Sequence, residues 1–210
     1  MTAQQNFTES YFPKDEARSL IESTLGDLML RNAEEVPDRL ALIEGIADRS
    51  KRRRWTYREF VEEALECARG LLRHFEPGDR IGLLAPETPE WMIFQHGMSF
   101  AGLINVPINP SYTAREVEYV LSNAKAAGVV YADESRGKEL KSVVQQVQSK
   151  LDHLKVALNV ADLGKLKAEG DPAQEMPKQS PGDVMQIQYT SGTTGFPKGA
   201  CLHHRGVVNA

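Results

Sequence analysis

Cysteine is almost missing from this sequence: Cys67 and Cys201 are the only two among 210 residues. Two distant cysteines outside any C-x-x-C pair exclude a disulfide framework, and a reducing cytoplasm is the expected compartment. Long apolar runs are missing as well. The most apolar stretch, 91–108, is interrupted by Gln95, His96, Asn105 and Pro107, so no transmembrane segment is expected. The opening residues are polar, with Asp15 and Glu16 after Pro13, and carry no charged-then-apolar leader. Neither sign of charge is in large excess. A net charge of −4 gives no global attraction to nucleic acid or to an anionic membrane. Internal repeats, low-complexity tracts and a G-x-S-x-G nucleophile elbow are also absent.

What is present has the balance of an ordinary globular protein, with 41% hydrophobic and 26% charged residues, enough for a sizeable core. Helical and strand patterns alternate. Thr24 can cap a helix through Leu25, Leu28, Met29 and Ala33 that ends near Pro37. Residues 40–46 and 53–56 read as short paired strands. Thr56 and Glu59 form a capping box for a second helix, with Phe60, Val61, Ala64, Leu65, Ala68, Leu71 and Leu72 at helical spacing. Cys67 lies on the stripe of Phe60, Ala64, Leu71 and Phe75 and reads as a small core residue. Strands follow at 80–85, 103–106, 128–132, 156–160 and 184–189. Between them lie helices at 89–101, from Thr113 onward, and at 140–151. Such alternation predicts an α/β fold, a mostly parallel sheet flanked by helices. Residues 164–183, rich in Gly, Lys, Glu, Pro and Gln, read as a surface connection.

The basic run Lys51-Arg52-Arg53-Arg54 could be a localisation or phosphate-binding patch, but its place between strand patterns favours a solvated hairpin edge. Glu34-Glu35 and Glu62-Glu63 read as solvated helix faces. His74, His96 and His153 are isolated. His203 and His204 would face opposite sides of a strand and have no third ligand at metal spacing, so no metal site is expected.

Chemistry concentrates at Tyr189-Thr190-Ser191-Gly192-Thr193-Thr194-Gly195-Phe196-Pro197-Lys198-Gly199. Glycines let backbone N–H groups converge on an anion. The hydroxyls of Thr190, Ser191, Thr193 and Thr194 can donate to phosphate oxygens, and Lys198 supplies positive charge. A flexible Gly/Ser/Thr linker is the plain alternative. It is disfavoured because the segment follows an apolar strand directly and ends in Pro-Lys-Gly. A Walker A loop is excluded, since Pro197 stands where a glycine is required and Gly199 where Ser or Thr is required.

The run Thr190-Ser191-Gly192-Thr193-Thr194-Gly195-x-Pro197-Lys198-Gly199 resembles the phosphate-binding signature of the adenylate-forming superfamily. That superfamily includes acyl-CoA synthetases, luciferases and the adenylation domains of peptide synthetases. Trp55-Thr56-Tyr57-x-x-Phe60, Gly78-Asp79-Arg80-Ile81-Gly82, Pro89-Glu90-Trp91 and Gly102-x-x-x-Val106-Pro107-Ile108-Asn109-Pro110 resemble further blocks of the family, and His204 stands where a histidine commonly follows the signature. Pro86 departs from it, where members often carry Asn. The resemblance implies residues 24–210 as part of an N-terminal AMP-binding domain, preceded by an extension over 1–23. It further implies ATP, Mg²⁺ and coenzyme A as cofactors and a small carboxylic acid, most like a fatty acid, as substrate. Cofactor contacts fall on Thr190, Ser191, Gly192, Thr193, Thr194, Gly195 and Lys198. The family's adenine, ribose and Mg²⁺ motifs and its C-terminal domain would lie beyond Ala210, so these residues alone are not expected to form acyl-adenylate. An adenylation domain serving a carrier protein, a non-catalytic nucleotide-binding or interaction module, and a truncated reading frame with no independent role remain the alternatives.

Overall fold

The computed structural model describes residues 19–190 and 197–210. Helix α1, Leu25–Glu35, begins at Thr24, whose hydroxyl accepts the Asp27 N–H. Strands β1 (Leu40–Ile43) and β2 (Arg54–Thr56) form a small antiparallel ribbon. Within the basic run, Arg53 is engaged: it pairs with Glu44 and Glu90 and lies over the Trp55 ring. This segment is therefore a braced ribbon edge rather than a merely solvated one.

Helix α2, Tyr57–Leu71, starts in a complete capping box: Thr56 accepts the Glu59 N–H while the Glu59 carboxylate takes the Thr56 N–H. Two otherwise orphaned donors are satisfied by two residues three apart in sequence. Its buried stripe includes Phe60, Val61, Ala64, Ala68 and Leu71, while Leu65 and Leu72 are only half-buried. Each large side chain removed from water contributes roughly 1.5–3 kcal/mol. Cys67 is fully buried on the same stripe, and burial pushes its thiol far above the usual range.

Strand β3 (Arg80–Leu84), helix α3 (Pro89–Phe100), strand β4 (Ile104–Pro107), helix α4 (Ala114–Ala124) and strand β5 (Gly128–Tyr131) follow in turn. A two-residue turn at Arg136 (φ 50°) and Gly137 (φ 78°) closes a small hairpin of β6 (Glu134–Ser135) and β7 (Lys138–Glu139). Lys138 donates from it to the carbonyls of Pro110 and Tyr112, tying down the corner after β4. Helix α5 (Leu140–Gln148) leads to β8 (Val156–Asn159).

One expectation fails here. Residues 164–183 are not a surface connection throughout, because Leu163–Glu169 form helix α6 and pack on α2 through buried Leu163 and Leu166. Its apolar stripe is only two residues, too short to register as periodicity. Glu63 departs from its reading too. It accepts the Trp55 indole N–H at 3.0 Å and the Lys167 ammonium at 3.1 Å, so it is a bridge between α2, β2 and α6.

Strand β9 (Val184–Thr190), strand β10 (Lys198–His203) and helix α7 (His204–Val208) complete the order. The six-stranded sheet runs β10-β9-β4-β3-β5-β8. All of its pairings are parallel except that of β10 with β9. Alternation sorts the side chains. Ile81 and Leu83 face α2, α3 and α6, while Leu84, Val106 and Val129 face α4 and α5.

Candidate phosphate-binding site

Strand β9 is parallel to β4, so Thr190 ends at the carboxyl edge of the parallel strands. Open α/β sheets bind their ligands in the crevice outside that edge. The chain then returns as β10, in which Lys198 is the register partner of Thr190. Paired residues share a face, so the Thr190 and Lys198 side chains leave the sheet from the same face, and both residues are exposed. Beneath them on that face lie Gln188, then Gln186 opposite Asn105, a polar strip where the rest of the sheet is apolar.

Ser191, Gly192, Thr193, Thr194 and Gly195 lie outside the described residues. Of the predicted binding residues the structure therefore places Thr190 and Lys198 and brings those two together. Lys198 begins a strand rather than sitting within a loop. Gly199 shows why glycine follows it. A Cβ there would come within 2.8 Å of Ile187 Cγ2 and 3.1 Å of the Tyr189 ring.

Sequence reasoning missed the neighbours that hold this hairpin. The Tyr119 hydroxyl donates to the Pro197 carbonyl at 3.0 Å, and the Tyr189 hydroxyl donates to Asn123 Oδ1 at 2.6 Å. The two rings meet edge to face, 6.4 Å apart at 81°. Burial, with Tyr119 and Cys201 adding to it, raises the Tyr189 phenol and keeps it a donor. Beside them α4 lines a groove of about 350 Å³ with Arg115, Glu118, Tyr119, Ser122 and Asn123. A helical 3–4 spacing of polar residues opposite the core stripe of α4 was the one signal available in advance.

A larger cavity, about 430 Å³, lies at the carboxyl ends of β3, β5 and β8, among Pro86, Thr88, Ala132, Leu163 and Lys167. Its lysine already bridges Glu63 and Glu66, so it offers no free counter-charge to a phosphate.

His204 is buried. Its Nδ1 accepts the Leu25 N–H at 3.1 Å, which leaves the proton on Nε2, donated to Gln179 Oε1 at 3.0 Å. Gln179 in turn donates to the Ser99 carbonyl. The histidine thus ties the start of α1 to the connection before β9. His203 accepts the Gly206 N–H and caps α7. Among the described residues no group of three or more His, Cys, Asp or Glu could hold a metal ion, and no helix is long and apolar enough to cross a membrane. The hydroxyl and ammonium at Thr190 and Lys198 suit phosphate oxygens and are the wrong donor set for a cation.

The AMP-binding enzyme family model matches residues 29–210. The mouse mitochondrial medium-chain acyl-CoA ligase ACSF2 is 29% identical over 231 residues, covering 95% of this chain and 36% of that protein. The inhibitor-bound N-terminal domain of FACL13 from Mycobacterium tuberculosis superposes with a TM-score of 0.72 at 25% identity, over 88% of this chain and 45% of that one. The N-terminal subdomain of NpsA from Klebsiella oxytoca, in complex with anthranilyl-AMSN, gives 0.70 at 26% identity, over 90% and 43%. The chain spans little more than a third of the length of the acyl-CoA ligase it matches.

Proposed function

The chain belongs to the AMP-binding enzyme family, and from that premise we propose that it serves an ATP-dependent acyl-CoA synthetase acting on a carboxylic acid, most simply a fatty acid. In the first step a carboxylate oxygen attacks the α-phosphorus of ATP. The bond to the bridging oxygen breaks and pyrophosphate leaves with the electron pair, giving an acyl-adenylate. In the second, the thiol of coenzyme A displaces AMP and gives the thioester. These residues serve the leaving group. Thr190 and Lys198 stand together at the carboxyl edge of the sheet, at the two ends of a hydroxyl- and glycine-rich signature, and that juxtaposition carries the reading. Their contribution is charge stabilisation rather than proton transfer. Mg²⁺ would arrive on the ATP phosphates, whose charge it shares.

The medium-chain ligase supports a fatty acid. The anthranilyl group held by the NpsA subdomain favours an aryl acid as the second reading. ATP–pyrophosphate exchange with decanoate against anthranilate, in an enzyme carrying these residues at the length of such relatives, separates the two. Alone, the 210 residues are proposed not to form acyl-adenylate, and ATP-dependent pyrophosphate release by them would overturn this.

Calorimetric titration of the chain with inorganic pyrophosphate at low ionic strength tests the phosphate site. Lys198→Ala is expected to weaken binding about tenfold, the scale of one charge-assisted contact. Equal affinity in the two proteins would refute the site.

A further inference from the structure

We infer that Tyr119 and Asn123 are positioning residues of the phosphate site, holding the two ends of the signature at a fixed spacing from one face of α4; the inference rests on the phosphate reading above. The exit end needs such a hold. Among the described residues strand β10 lies at the edge of the sheet, paired to β9 alone, and most of it is exposed. Pro197, immediately before Lys198, has no N–H to give to any ladder. Its carbonyl is its one backbone polar group, and Tyr119 donates to it.

The entrance end is held from one turn further along the same helix. Asn123 accepts from the hydroxyl of Tyr189, the residue before Thr190. Positions 119 and 123 lie four apart and therefore one above the other on a helix face. The edge-to-face contact of the two tyrosines joins the holds into one unit, and the missing Cβ of Gly199 makes room for the Tyr189 ring. The helix that carries them is itself immobilised. Thr113 and Glu116 form a complete capping box, and Val117, Val120 and Leu121 are fully buried against β3 and β5.

Neither Tyr119 nor Asn123 need touch the phosphate. By holding the carbonyl of Pro197 and the ring of Tyr189, they hold the backbone from which Lys198 and Thr190 project, so less order must be imposed when the anion binds.

A double-mutant cycle read by pyrophosphate calorimetry tests this. Tyr119→Phe removes one oxygen and is expected to weaken pyrophosphate binding about fivefold, the size of one hydrogen bond lost. Asn123→Ala is expected to act in the same direction. Combined with Lys198→Ala, Tyr119→Phe should add almost nothing, because the residue acts through the lysine. Thermal melts accompany each variant, and should Tyr119→Phe not melt cooperatively, Asn123→Ala, on the exposed side of the bracket, carries the cycle, paired with Thr190→Ala because Asn123 holds the Thr190 end. Unchanged affinity, or losses that simply add to that of the paired site variant, would overturn the inference while leaving the phosphate site standing. No effect of Lys198→Ala would instead bring down the phosphate reading, and this inference with it.

Discussion

Gly70→Ala is expected to destabilise the protein by about 3 kcal/mol, a loss near the upper end of what overpacking causes. For a domain of this size that lowers the melting midpoint by roughly 6–12 °C. The direction runs against helix propensity, since Gly to Ala within a helix gains roughly 0.5–1 kcal/mol. Packing decides the outcome. Gly70 sits in the last turn of α2, where α6 crosses, and a Cβ would overlap the Leu166 carbonyl oxygen and lie 2.8 Å from its carbon. That neighbour is backbone and cannot turn aside as a side chain would. Relief means lifting α6 away from α2, which exposes Leu163 and Leu166 and pulls Lys167 from its bridges to Glu63 and Glu66.

Gly164 supplies the control within α6 itself. Among the described residues, no atom beyond its chain neighbours and its own helix backbone lies within 4 Å of the Cβ it would gain. Gly164→Ala is therefore expected to be neutral or to stabilise by up to about 1 kcal/mol. Urea denaturation of the two variants beside the parent checks both values. Matching midpoints for Gly70→Ala and Gly164→Ala would show that α6 does not press on α2 as described.

The same helix shows what could not be read in advance. The capping box at Thr56/Glu59 and the cap at Thr113 were legible because each partner lies within four residues; the structure contains both and adds Glu116 as the far half of a second box. The order of strands and helices was legible for a similar reason, since periodicity is local. Helix α6 was not, because its seven residues offer two buried leucines and its stability comes from Gly70 making room on another helix. Strand β10 was hidden differently. Lys198-Gly199-Ala200-Cys201 lacks the β-branched alternation of a strand, and only pairing with β9 makes it one.

At the site, composition revealed the chemistry of the signature but not its support. Tyr119 and Pro197 are 78 residues apart, and nothing local to either marks the other as its partner. His204 could be matched to a family position, yet its role depends on an N–H 179 residues away at the start of α1. Long-range hydrogen bonds of this kind follow from topology, and topology follows from packing that no short window contains.

That histidine leads to the second large effect, a loss of stability in mild acid. Two buried histidines, His96 and His204, are held below the usual imidazole range, in both cases chiefly by burial. For His96 the bond from Nδ1–H to the Met92 carbonyl offsets part of the shift, and for His204 the charges of Asp183 and Asp27 do so. Unfolded histidine takes its proton near pH 6.5, whereas these two resist it until lower pH. Over that interval the unfolded chain binds more protons, so stability is full above about pH 6.5 and declines as pH falls toward the folded values. The limiting slope is about 1.4 kcal/mol per pH unit for each group. His204 carries a further cost, because a proton on Nδ1 would turn the acceptor of the Leu25 N–H into a second donor facing it. Glu44, Glu59, Glu90 and Glu116, whose carboxyls are held low by hydrogen bonds and by Arg53, contribute their own acid loss only below about pH 4.5, so the two intervals separate. Urea midpoints in the parent protein should therefore stay nearly level from pH 7.5 to 6.5 and fall clearly by pH 5.5. His204→Gln should be less stable at pH 7.5, having lost the clasp on α1, but show a shallower decline than the parent. His96→Gln should likewise flatten it. Parallel declines in all three proteins would mean that neither histidine carries the acid sensitivity.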